Sequence, residues 1–122
     1  MQNETQQSVG EWIDQTFPGT DPESPRKSIR ALEEMVELCL ASGATQTDVI
    51  EAISKAIRAT PHSPQPEKIA EEAADVLIVL YGVAHMRGFD LQAEIDRKMA
   101  VNRSRQWAAR GDGTGYHIKT GE

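Results

Sequence analysis

The stretch Ala73-Ala74-Asp75-Val76-Leu77-Ile78-Val79-Leu80-Tyr81-Gly82-Val83-Ala84 carries a single charge, Asp75. Helical periodicity dominates the chain, so the stretch reads as a helix that is apolar on nearly every side. Such a helix belongs in a core. A lone Asp among Val, Leu and Ile is then expected to be desolvated. An unpaired buried carboxylate costs several kcal/mol or is driven towards its neutral form. Glu72 lies three positions earlier, on the same helical face as Asp75. The uncharged run Val76–Ala84 is far shorter than the roughly 20 residues of a membrane span.

Working outward, Pro66 opens this helix and Gly88 closes it after Arg87. Asp90 is placed to cap a following helix, which the pattern extends to about Trp107. Upstream, three prolines within Thr60–Pro66 break the chain and mark the segment expected to be most mobile. Thr47 is placed to cap a helix with Asp48 in its first turn and Val49, Ile53 and Ile57 at helical spacing. Before it, Ser24 or Pro25 starts a long helix to about Ala41, with Gly43 as its terminal glycine. A short helix over Val9–Thr16 ends at Phe17-Pro18-Gly19, and residues 1–8 are expected to be flexible. The tail Gly111–Glu122 contains Asp112-Gly113 and reads as a turn-rich arm, a small hairpin in its tightest form. The expectation is an all-α chain of four or five helices forming one domain over 1–122.

Composition agrees. The 122 residues suit one domain, with 39% hydrophobic and 26% charged residues, which excludes generic disorder. Net charge is −6. So acidic a chain is a poor coat for a nucleic acid polymer or an anionic membrane. A polyanionic small substrate stays open if metal ions mediate the contact. Cys39 is the sole cysteine, so no internal disulfide framework exists, and no signal-peptide pattern opens the chain. Both point to a reducing cytoplasm.

The chemistry lies in the acids. In Leu32-Glu33-Glu34-Met35-Val36-Glu37-Leu38 the three glutamates share one sector of their helix, with only Arg30 as a cation beside them. Ile29, Leu32, Met35, Val36, Leu38, Cys39 and Leu40 fill most of the remainder, so this helix too is expected to be largely buried. Two helices thus offer i, i+3 pairs, Glu34/Glu37 and Glu72/Asp75. If these faces meet, four carboxylates crowd one dry cavity and repel unless cations neutralise them. Mg²⁺ or Mn²⁺ suits such an all-oxygen set. On the last helix, Lys98, Asn102 and Arg105 fall on one side, beside the stripe Leu91, Ile95, Met99. They serve either as donors to phosphate oxygens or as a salt-bridged edge in which Glu94 pairs with Lys98.

The order Glu33-Glu34-x-x-Glu37, Glu72-x-x-Asp75, Lys98-x3-Asn102-x2-Arg105 resembles the MazG-like all-α nucleoside triphosphate pyrophosphohydrolases, over roughly Trp12 to Trp107. Trp12-x3-Thr16-Phe17-Pro18, Asn102-Arg103-x-Arg105-x-Trp107, Asp112-Gly113 and His117-Ile118 are similar to the dATP/dGTP pyrophosphohydrolase branch of bacteria and phages. The resemblance implies hydrolysis of a (deoxy)nucleoside triphosphate, by preference a purine one such as dGTP or dATP, to monophosphate and pyrophosphate. It implies two or more Mg²⁺ or Mn²⁺ ions held by Glu34, Glu37, Glu72 and Asp75, and a homodimer or homotetramer. Glu33 or Glu37 would accept the proton of the attacking water, and Lys98, Asn102 and Arg105 would orient the triphosphate. Trp12 is either a stacking surface for the base or a core anchor.

Rival readings are a non-catalytic helical regulatory module, and an enzyme of the same fold with pyrimidine or broad specificity. A di-iron bundle is excluded, because none of His62, His85 and His117 lies three residues after a Glu.

Overall fold

The computed structural model describes residues 1–119. It contains five α-helices and one two-stranded antiparallel sheet among those residues: α1 (Gln6–Thr16), α2 (Arg26–Ala41), α3 (Gln46–Ala59), α4 (Ile69–Arg87), α5 (Leu91–Ser104), β1 (Gln106–Ala109) and β2 (Gly115–Ile118). A short 3₁₀ turn, Pro66–Lys68, precedes α4. The all-α expectation holds. The chain divides into two compact units. One is Pro25–Glu67; the other joins Met1–Ser24 to the chain from Lys68 onward.

The unit Pro25–Glu67 is the helix pair α2 and α3. Gly43 ends α2 in a left-handed conformation (φ +102°). Its N–H donates to Leu40 O at 3.1 Å and that of Ala44 to Cys39 O at 3.0 Å, a Schellman closure. Thr45 caps α3, in place of the expected Thr47. The reason is reciprocity: Asp48 N–H donates to Thr45 Oγ1 and Thr45 N–H donates to Asp48 Oδ2. Three residues after Thr47 stands Ile50, which returns no such bond. No residue of α2 is buried, so the expectation of a largely buried α2 is corrected; Ile29, Leu32 and Leu40 are exposed.

In the other unit, α1 begins at Gln6 rather than Val9, because Thr5 and Ser8 form a reciprocal cap. The segment before it, expected to be flexible, is bonded in place. Glu4 N–H donates to Asp96 Oδ1 at 2.7 Å, and Gln92 Nε2 donates to Glu4 O at 2.8 Å. Gly88 (φ +74°) closes α4, and Asp90 caps α5 by accepting from Ala93 N–H.

The fifth helix stops at Ser104, short of the expected Trp107. Arg105 turns extended (ψ 158°), and Gln106, Trp107, Ala108 and Ala109 pair with Ile118, His117, Tyr116 and Gly115. Trp107 is drawn out of the helix by an aromatic cluster. Its ring meets Trp12 at 5.6 Å and Phe17 at 5.9 Å, and Trp12 meets Phe17 at 5.6 Å, all near perpendicular. Phe17, Ala84 and Met99 are the buried apolar residues among those described. Part of the expected C-terminal arm is therefore β2; residues 120–122 lie outside the described residues.

Candidate functional site

The glutamates of α2 stand on one open face. Glu33, Glu34 and Glu37 are all exposed. Arg30, one turn earlier, reaches both neighbours: Nη2 bonds Glu34 Oε1, and Nη1 lies 3.5 Å from Glu33 Oε2. The i, i+3 and i, i+4 spacing makes these contacts possible on one helix face.

The α4 pair, Glu72 and Asp75, is exposed as well. This corrects the expectation of a desolvated Asp75. Its apolar neighbours are there, but the face is open: Val76 is 49%, Ile78 64% and Val79 62% exposed. A sequence this apolar specifies a face that must be covered; the single chain does not cover it.

Glu34 and Glu37 belong to one compact unit, Glu72 and Asp75 to the other. Among the described residues, no three His, Cys, Asp or Glu side chains gather to hold a metal. Each unit holds one pair of carboxylates. The donors are all hard oxygens at i, i+3 spacing, which fits Mg²⁺ or Mn²⁺ in chemistry. The guanidinium of Arg30 lies against Glu33 and Glu34 on the α2 face.

Of the expected phosphate-binding residues, Lys98 and Asn102 lie on α5, whereas Arg105 stands past its end in extended backbone, which corrects the expectation that all three share one side of a helix. Lys98 is exposed, while Asn102 and Arg105 are half-buried. Glu94 pairs with Arg97 at 2.5 Å, not with Lys98. Asn102 O accepts from Arg105 N–H at 3.2 Å and from Trp107 Nε1 at 2.9 Å. Trp107 in turn meets Trp12, so its ring links Trp12 to the Asn102 backbone carbonyl. Trp12 sits edge-on in the aromatic cluster, the anchor arrangement.

One pair escaped sequence reasoning. Arg103 Nη2 donates to Glu4 Oε1 at 2.6 Å, and only 1% of the Glu4 side chain is exposed. The Arg103 guanidinium holds the Glu4 carboxyl below its ordinary range, outweighing the burial that pushes it up. They stand 99 positions apart, so no local pattern announces the pair. A cavity of about 430 Å³ adjoins it, lined by Met1, Gln2, Glu4, Ala100 and Arg103.

Comparison with known proteins adds the following. A model of the MazG-like family matches residues 26–117. A dATP/dGTP diphosphohydrolase of Salmonella phage PMBT28 is 28% identical over 118 residues, 97% of this chain and 32% of that protein. A dATP/dGTP diphosphohydrolase of Cyanophage S-2L is 43% identical over 47 residues, 38% of this chain and 45% of that protein. The chain thus spans less than half the length of each of these relatives. No solved structure matches it significantly.

Proposed function

Because the chain belongs to the MazG-like family, we propose that it is a metal-dependent nucleoside triphosphate pyrophosphohydrolase. Its substrate is a purine deoxynucleotide such as dGTP or dATP, as the names of both phage relatives suggest. The observation that carries the reading is the extent of the family match. Residues 26–117 include both acid pairs and the Lys98, Asn102, Arg105 set, and they reach into both compact units. We accordingly read residues 1–122 as one MazG-like domain.

Glu34, Glu37, Glu72 and Asp75 are the residues that would hold two or more Mg²⁺ or Mn²⁺ ions. When bound, these ions supply charge neutralisation on the phosphate oxygens. Water attacks the α-phosphorus; the P–O bond to the β-phosphate bridge breaks, and pyrophosphate leaves with the electron pair. A carboxylate oxygen of Glu33 or Glu37 takes the proton of the attacking water. Lys98 Nζ and the Arg105 guanidinium hold phosphate oxygens and the Asn102 amide donates to another, while Trp12 anchors the aromatic cluster beside them.

The uncovered apolar side chains of α4 support assembly as a homodimer or homotetramer. Among the described residues no helix is long and apolar enough to cross a membrane. We place the activity in the cytoplasm of a bacterium or of a phage-infected host.

A panel of the eight common ribo- and deoxynucleoside triphosphates, assayed for pyrophosphate with and without Mg²⁺ or Mn²⁺, tests the reading. Pyrophosphate from dGTP or dATP, abolished by a chelator and restored by metal, is expected. Release of single phosphates would point to a different hydrolase. No turnover with any substrate would favour the rival helical regulatory module, which the exposure of all four acids also suits.

A further inference from the structure

We infer that Arg30 is a built-in competitor for the metal: its guanidinium occupies the acidic face of α2 in the metal-free chain, and a dication must displace it to bind Glu34. The inference rests on the metal assignment proposed above. It starts from the placement of charge along α2. The helix has no acid in its first turn and no base in its last. Arg26, Lys27 and Arg30 stand towards its N-terminus, and Glu33, Glu34 and Glu37 follow. Both trends oppose the helix macrodipole, which favours acids first and bases last. The Arg-before-Glu order is also the less favourable direction for an i, i+4 pair. Stability of the isolated helix therefore does not account for this arrangement.

Arg30 nonetheless contacts both neighbouring acids, at Glu34 Oε1 and at 3.5 Å from Glu33 Oε2. An exposed pair of this kind is weak. It is strong enough to keep the acidic face partly neutral and weak enough to yield to a divalent ion. Guanidinium and dication repel each other, so occupation of Glu34 by one disfavours the other.

Mn²⁺ titration by calorimetry on the full chain tests this, with Arg30→Gln, Arg30→Ala and Glu37→Gln beside the wild type and helix content checked by circular dichroism. The expected result is a Kd for Mn²⁺ about two- to five-fold lower in both Arg30 variants. The gap should narrow in 0.5 M salt, where exposed pairs are screened. The Mn²⁺-induced rise in Tm should grow in the same variants, a gain that a merely structural arginine would not produce. Equal or weaker Mn²⁺ binding in the Arg30 variants, with wild-type binding intact and lost in Glu37→Gln, overturns the competitor role and leaves the metal assignment standing. Absence of saturable binding in every protein, the Arg30 variants included, overturns both.

Discussion

The indole N–H of Trp107 donates to the backbone carbonyl of Asn102 at 2.9 Å. That carbonyl also accepts from the Arg105 N–H, so two donors fix the turn where α5 becomes β1. Trp107→Phe keeps a ring for Trp12 and Phe17 and removes one donor. A lost hydrogen bond of this type costs about 1 kcal/mol. Thermal denaturation should show that loss. With Asn102 and Arg105 as phosphate-binding residues, steady-state kinetics should show KM rising more than kcat.

Glu4 and Arg103 give a pH signature. The Glu4 carboxyl titrates below its ordinary value of 4.5, chiefly because Arg103 bonds it. A group depressed in the folded state adds stability that is present above the unfolded value and lost as pH falls through the folded one. Wild-type Tm should therefore drop as pH falls below about 4.5. Glu4→Gln should lower Tm at pH 7 and flatten that part of the profile. Equal acid slopes in the two proteins would show that the pair contributes nothing to acid stability.

Gly115 is where β2 passes closest to the core. A Cβ there would lie 2.2 Å from Phe17 Cε1 and 2.4 Å from Ala108 O. Neither the ring in its cluster nor a backbone carbonyl yields easily. Overpacking of this kind costs about 1–3 kcal/mol. Gly115→Ala should lower the urea midpoint accordingly, and Gly10→Ala, with open space around it, should not.

What the sequence made legible was local. Gly43, Gly88 and Asp90 mark helix ends by their own backbone chemistry, and each does so in the structure. The end of α5 was hidden because no glycine or proline stands between Ser104 and Gln106. The chain leaves the helix there because of Trp12 and Phe17, distant in sequence, and such contacts override propensity. The same limit governs the site. The spacing of Arg30 to Glu34 is readable, whereas Glu4 to Arg103 is not. The apolar surround of Asp75 tells that a face must be covered, but not by what.

Asp75→Asn separates chemistry from folding. The side chain is exposed in the single chain, so the substitution should change stability by no more than about 0.5 kcal/mol. If Asp75 holds a dication, charge stabilisation worth several kcal/mol goes with it, and kcat should fall roughly a hundredfold or more. Full activity in a folded Asp75→Asn protein would remove Asp75 from the ligand set.

Assembly should depend on α4. Val76, Ile78 and Val79 form an exposed apolar run directly after Asp75. Burying one such side chain fully is worth roughly 1.5–3 kcal/mol, so a face that buries several of them twice over in a symmetric pair can sustain a dimer. Placing a charge there should reverse it, because a lysine buried without a partner costs more than the contact returns. Light scattering after size exclusion should give a multiple of 13.4 kDa for the wild type and the monomer mass for Ile78→Lys or Val79→Lys. Circular dichroism should show helicity retained, since both positions are exposed in the single chain. An unchanged assembly mass in both variants would move the interface away from this helix.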